Sequence, residues 1–342
     1  MRELIADIAS QPETMLRNTW VLDEAYSGLP RRLDAKGDVV ITGMASSLWA
    51  WHSASMILAE ADIAPQFADT SEYLRYGRAA DDAGPLIVTS RSGESVEILR
   101  LLEVVRPDRD IIAISASRGS LLVQKSSWPL CFEADEAAFS NTKSFTMTLC
   151  MAMAAAAGMA GRGDLAPMAW LKRLAGQVDE IIADDQNAYD IVAEMLARSR
   201  VALVTGRGHL IGVAQQAALD LQEGMRIGAI AVPGGLMRHG PLELTKLDDC
   251  VVLLLVPTDH VTATFANLAE ELRATGARVA ALASASVSGL PTIPVVRVPD
   301  AAPELNPILF GVALQKLNVA LGRALGLSVI EPALVAKITS VE

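Results

Sequence analysis

Short runs of Val, Ile and Leu alternate along the chain with longer stretches whose apolar residues recur every three or four positions, a pattern that predicts βαβ units around parallel sheets. The first series of strands is expected at 39–42, 86–90, 111–115 and 130–132. The second is expected at 201–206, 251–256, 279–282 and 295–298. Between them, residues 96–103 carry the period of an amphipathic helix, and Pro107 limits its extension. Each series opens with a strand, a glycine-containing turn and a helix (Thr42-Gly43-Met44-Ala45-Ser46-Ser47, then Thr205-Gly206-Arg207-Gly208-His209), and each ends in a long helix. This is a coarse duplication of a domain-sized unit. A polar helical stretch, 170–198, connects the halves after a break at 158–167.

A length of 342 residues exceeds what one core organises, so the pattern divides into a helical segment 1–34, a first domain 35–165, a connector 166–198, a second domain 199–328 and a tail 329–342. The fold class is α/β, each domain a mainly parallel sheet flanked by helices in three α/β/α layers. Apolar residues make up 51% and aromatics only 4%, and this aliphatic bias suits strands buried on both faces. A net charge of −11 argues against general nucleic-acid binding. It leaves room for a small anion held by hydroxyls, N–H groups and helix N-termini. Cys131, Cys150 and Cys250 are far apart and set among apolar residues, as expected of reduced thiols in a cytoplasm; no metal-ligand spacing and no cofactor motif stand out. Acid at Glu3 and Asp7 does not fit a signal peptide. The uncharged run 144–161 is dominated by Ala, Gly, Ser, Thr and Met, and reads as a buried interdomain helix rather than a membrane span.

The richest chemistry lies at Thr89-Ser90-Arg91-Ser92-Gly93-Glu94-Ser95, after a strand and before a helix. Ser90, Ser92 and Ser95 supply hydroxyl donors, Arg91 a charged fork, and Gly93 allows close approach of backbone to an anion. The plainer alternative is that Ser95 caps the helix and the other serines decorate a turn. In the second half, a helix from about Leu210 places Gln216, Asp220 and Glu223 on one stripe, which by itself also describes a solvated face.

The Ser-x-Ser-Gly-Glu-Ser loop and the Gly43-Met44-Ala45-Ser46-Ser47 turn resemble the ligand loops of the sugar isomerase (SIS) domain family. The resemblance extends to the isomerase half of the glucosamine-6-phosphate synthases and their stand-alone relatives. It rests on Gln11-Pro12, Thr142-Lys143-Ser144-Phe145-Thr146, Arg238-His239-Gly240-Pro241-Leu242 and the terminal Ala336-Lys337-Ile338-Thr339-Ser340-Val341-Glu342. It implies two tandem SIS domains, a phosphorylated sugar as ligand, and Ser46, Ser47, Ser90, Arg91, Ser92 and Ser95 around its phosphate, with Asn141 and Thr142 near the hydroxyls. It implies that Glu223 shuttles a proton between adjacent carbons, that His239 assists ring opening from a neighbouring subunit of a homodimer, and that Lys337 sits over the sugar. The tail around Lys337 is apolar enough to be expected to pack. His52, His209 and His260 match no catalytic position.

Three departures narrow the expectation. Arg2 follows Met1 where the synthases carry a cysteine, which points away from glutamine as ammonia source. Asp220 replaces a lysine near the amino-transfer centre, an inversion that favours a cationic amine. Arg91 replaces a Gln and Ala45 a Gly. The resemblance therefore implies a hexosamine-phosphate deaminase-isomerase, turning glucosamine 6-phosphate into fructose 6-phosphate and ammonia. The alternatives are an aldose–ketose isomerase, a ketosamine-phosphate deglycase, or a noncatalytic sugar-phosphate sensor.

Overall fold

Both expected strand series form five-stranded parallel sheets, each with one strand more than the apolar runs indicate. The computed structural model describes residues 1–29 and 39–341, so the expected boundary at residue 34 lies outside the described residues. The first sheet contains β1 (Val40–Gly43), β2 (Gln66–Asp69), β3 (Leu86–Thr89), β4 (Ile111–Ser115) and β5 (Trp128–Cys131). The second contains β6 (Val201–Gly206), β7 (Gly228–Pro233), β8 (Cys250–Val256), β9 (Arg278–Ser284) and β10 (Val295–Val298). Their orders, β2-β1-β3-β4-β5 and β7-β6-β8-β9-β10, are the same arrangement used twice. The fourth strand of each ends on the same tripeptide, Ser115-Ala116-Ser117 and Ser284-Ala285-Ser286.

The two strands missing from the sequence reading are both edges. Central strands such as β3, β4 and β8 are buried at every position and read as unbroken apolar runs. By contrast β2 is Gln-Phe-Ala-Asp, and β7 alternates exposed and buried positions. An edge strand buries less of itself and needs fewer apolar residues.

Helices α1 (Arg2–Ala9), α2 (Gln11–Arg17) and α3 (Thr19–Ser27) open the chain. α4 (Ser46–Glu60), α5 (Thr70–Tyr76), α6 (Val96–Val104), α7 (Leu121–Lys125) and α8 (Lys143–Met159) accompany the first sheet. α9 (Pro167–Ala183) and α10 (Asn187–Ala197) follow, then α11 (Ile211–Met225), α12 (Thr262–Ala274) and α13 (Asn306–Ala324) with the second sheet. The described chain forms two compact units. A first-sheet unit comprises Glu13–Glu136, Lys143–Ala175 and Ala333–Glu342, and a second-sheet unit comprises Met1–Pro12, Ala137–Thr142 and Gly176–Pro332.

In the first-sheet unit, Leu86, Val88, Ile98, Leu101, Ile111 and Leu122 form one core between sheet and helices. The uncharged run becomes α8, buried from Lys143 to Ala157 and packed against α3 and α4. It is thus an inner helix of this unit. Gly158 makes the approach possible, since a Cβ there would lie 1.9 Å from the Tyr26 carbonyl oxygen. In the second-sheet unit, Leu203, Val252, Leu254, Phe265, Leu268 and Leu272 form the core under α12, while α11 and α13 pack on each other. The three cysteines are buried and free, and burial pushes the Cys150 thiol up to about 12. No helix among the described residues is long and apolar enough to cross a membrane.

Candidate functional site

In a parallel sheet, ligands bind beyond the carboxyl ends of strands, at the point where strand order reverses. In the first sheet that point lies between β1 and β3. The loops leaving these two strands are Gly43–Ser47 and Ser90–Ser95, the two that carry the serines. Trp51 Nε1 donates to Thr89 Oγ1 at 2.9 Å and so ties α4 to the end of β3. Ser46 is the first residue of α4 and is buried, with Ser47 half-buried beside it. The turn into α4 is strained. Ala45 has φ 45° and ψ −119°, a region comfortable only for glycine. Relief of a strain of about 1–3 kcal/mol, offset by the greater freedom of glycine in the unfolded chain, leads us to expect Ala45→Gly to stabilise the protein by about 1 kcal/mol. Chemical denaturation checks this, and a loss of stability on substitution would contradict the strain.

The second loop offers hydroxyls more than amides. Ser90 Oγ accepts from the Gly93 N–H at 3.0 Å and Ser92 Oγ accepts from the Glu94 N–H at 3.3 Å, which leaves each hydroxyl its own proton to donate. The Val96 N–H donates to Thr339 O. Ser95 stands at the N-cap of α6, yet its side chain makes no capping hydrogen bond, so the plainer reading of this serine does not describe what it does. The backbone itself requires a glycine at Gly93: its φ is +66°, and a Cβ would stand 2.3 Å from Ser120 Oγ.

Beside this loop a cavity of about 340 Å³ is lined by Arg91, Ser92, Ser117, Glu136, Ser144 and Lys337, among others. Arg91 Nη1 pairs with Glu136 Oε2 at 3.3 Å, and Nη2 donates to Lys337 O at 3.4 Å. Lys337 Nζ donates to Glu136 O at 3.5 Å. The expected packing of the tail is observed only at its start: Ile330 is buried, whereas residues 333–341 are all exposed.

The second-sheet unit holds the carboxylates. Asp220 and Glu223 lie one turn apart on α11. Gln216 Nε2 donates to Asp220 Oδ1 at 2.7 Å, and Asn318 Nδ2 from α13 donates to Oδ2 at 3.0 Å. Asp220 keeps a small accessible surface, but its carboxyl sits in a narrow cavity with Asn141, Thr142, Gln315, Asn318 and Ile330. This cavity measures about 10 Å³, room for one water-sized molecule. Desolvation raises the Asp220 pKa to about 7, and the neighbouring Glu223 adds to the rise against the two amide hydrogen bonds. Glu223 is half-buried and raised by the same desolvation.

No protein-family profile matches the chain. Glutamine–fructose-6-phosphate aminotransferase (isomerizing) of Thermus thermophilus is 31% identical over 283 residues, 80% of this chain and 46% of that protein. The chain thus spans about half the length of the curated relatives it matches. The solved C-terminal domain of the Francisella tularensis glucosamine–fructose-6-phosphate aminotransferase superposes with a TM-score of 0.80 at 21% identity, covering 96% of this chain and 98% of that domain. The stretch shared with the aminotransferases is therefore built like their C-terminal half. The chain resembles the sugar isomerase (SIS) family. Glucosamine-6-phosphate deaminase of Thermotoga maritima shares the fold as well, with a TM-score of 0.76 at 20% identity over 99% of this chain and all of that one.

The structure gathers Ser90, Arg91, Ser92, Ser95 and Lys337 in the first-sheet unit, and Asp220, Asn141 and Thr142 around one cavity in the second-sheet unit, with Glu223 on the next turn. His239 is exposed in the loop after β7, its N–H closing a turn on Leu236 O, and its imidazole makes no hydrogen bond to Asp220 or Glu223. His52 packs edge-on against Phe67. Sequence reasoning missed Glu136 and Asn318. Glu136 stands seven residues before Lys143, and Asn318 lies on α13, whose sequence offers only apolar periodicity. Among the described residues no group of three His, Cys, Asp or Glu is arranged to hold a metal ion.

Proposed function

We propose that the chain is a phosphosugar isomerase of the deaminating kind, acting on a hexosamine phosphate such as glucosamine 6-phosphate. The observation that carries this reading is the Asp220 cavity. Its size matches ammonia or water, and its walls supply one carboxyl of raised pKa and the polar side chains of Asn141, Thr142, Gln315 and Asn318. The names of two proteins it resembles, an isomerizing aminotransferase of fructose 6-phosphate and a glucosamine-6-phosphate deaminase, support the same substrate class.

In this reading Ser46, Ser47, Ser90, Ser92 and Ser95 hold the phosphate, with Arg91 beside them. Lys337 and His239 assist ring opening. Glu223 takes the C2 proton of the open 2-amino aldose and returns it to C1, while O1 gains a proton and the amine nitrogen gives one up, leaving a C1 alcohol and a C2 imine. A water then adds to C2, the C2–N bond breaks, and ammonia leaves with a proton beside Asp220. A carboxylate near its own pKa at neutral pH suits both proton steps. We read the two units as tandem SIS domains at 35–165 and 199–328, a reading supported by their common strand order and the repeated Ser-Ala-Ser strand end. The assembly is a cytoplasmic homodimer in which His239 completes a neighbour's site.

The test is incubation of the purified protein with a panel of amino-sugar and plain hexose phosphates, with ammonia, amino acid and ketose measured in parallel. Ammonia appearing in step with ketose supports deamination. Isomer without ammonia assigns a plain aldose–ketose isomerase, release of an amino acid assigns a deglycase, and binding without turnover assigns a sensor.

A further inference from the structure

The C-terminal segment 333–341 is held by polar contacts rather than by burial. Leu334 is 98% exposed, Val341 79% and Val335 52%, so little apolar area is removed from water along it. Its fixed points include three polar contacts in the first-sheet unit: Arg91 Nη2 to Lys337 O, the Val96 N–H to Thr339 O at 3.0 Å, and Lys337 Nζ to Glu136 O. The base of this fastening is rigid. The Glu136 side chain is 4% exposed, and its two oxygens accept the Ser144 N–H at 3.1 Å and the Ser144 hydroxyl at 2.7 Å in the first turn of α8. One oxygen also takes Arg91 Nη1.

We propose that Arg91 is a positioning residue that clamps the C-terminal segment onto the serine loop, bridging the Glu136 carboxylate to the Lys337 backbone, and that its guanidinium is not spent on the phosphate. The inference rests on the reading of the serine loop and Lys337 given above, and assigns Arg91 its task within it. A guanidinium presents donors in two directions from one rigid plane, so it can hold a carboxylate and a carbonyl together. A glutamine at this position cannot serve both with charge. The arrangement explains how Lys337, on a segment with almost no apolar anchorage, is kept at the loop.

Lys337 is itself a trypsin site, and a clamped segment is cut only when it opens. Arg91→Gln is expected to speed loss of residues 338–342, followed by mass spectrometry, by about tenfold, in line with the worth of charge-assisted hydrogen bonds. Glu136→Gln, which keeps the shape and removes the charge, is expected to speed it by a smaller factor and decides the matter if Arg91→Gln does not fold. On any sugar phosphate that the wild type turns over, Arg91→Gln is expected to lower kcat about tenfold with KM changed less than twofold. Unchanged cleavage in both variants overturns the clamp. So does a tenfold weaker affinity of Arg91→Gln for inorganic phosphate at an unchanged cleavage rate, which would make Arg91 a phosphate ligand. If the wild type turns over no sugar phosphate, the proposed function fails while the cleavage comparison still decides on the clamp.

Discussion

Glu223→Gln is expected to lower kcat for conversion of the hexosamine phosphate by about 10³-fold, with KM within a few-fold of wild type, in line with the 10²–10⁴-fold that a positioned acid–base group contributes. The substitution keeps the side chain's shape and removes its ability to accept a proton. Desolvation already holds the Glu223 carboxyl above its ordinary pKa, which strengthens it as a base once ionised. It also places the rising limb of the kcat/KM profile above the usual carboxylate range, and Glu223→Gln should lose that limb. Parallel assays of ketose and ammonia check both. If the variant and the wild type released ammonia at the same rate, Glu223 would not be the proton carrier and the proposed mechanism would fall.

Much of this was legible from residue types alone, and the reason differs from place to place. Central strands such as β4 (Ile-Ile-Ala-Ile-Ser) and β8 are buried on both faces, so their sequences are continuous apolar runs that little else produces. β2 and β7 were not legible, although the alternation in Gly-Ala-Ile-Ala-Val-Pro carries a strand signal once a sheet edge is considered. The stripe of Gln216, Asp220 and Glu223 follows from helical spacing. What spacing could not give is that Asn318, almost a hundred residues away, closes on the same carboxylate. The serine loop could be located from its strand–turn–helix setting. Its amides, however, are partly taken by the hydroxyl oxygens of its own serines and by the Thr339 carbonyl, and residue spacing does not announce either contact.

The strained Ala45 shows the same limit from the other side. A glycine in that turn would have announced a left-handed backbone, whereas alanine conceals it, and only the observed φ reveals that the start of α4 departs from an ordinary helix entry. Strain of this kind persists where surrounding structure fixes it. Here the neighbours are β1, buried at all four positions, and α4, tied to β3 through Trp51.

Asp220→Asn is the other large effect, and it separates stability from chemistry. The Asp220 pKa is raised from 3.8 to about 7, so between those values the folded protein keeps a proton that the unfolded chain gives up. More protons bound in the native state means that stability falls as pH rises through this window: the favourable contribution is complete below the unfolded pKa and is lost by the time pH passes the folded one. Three pKa units set an upper bound of about 4 kcal/mol on the cost of ionising the group in its cavity. Asparagine carries no such cost. Its new NH₂ would face amide donors, but Gln216 Oε1 is buried without a partner and can accept from it if the Gln216 amide turns over. The variant is therefore expected to unfold several degrees higher than wild type at pH 8 and by less than half as much at pH 5, which lies low in the same window, measured by thermal unfolding at both. An equal difference at the two pH values would mean that ionisation of Asp220 is not the source. The same variant should release ammonia far more slowly, because an amide cannot take up the charge of a departing ammonium. A position that is stabilised by neutralisation yet loses its reaction is one where the fold bears a buried charge for the sake of the chemistry.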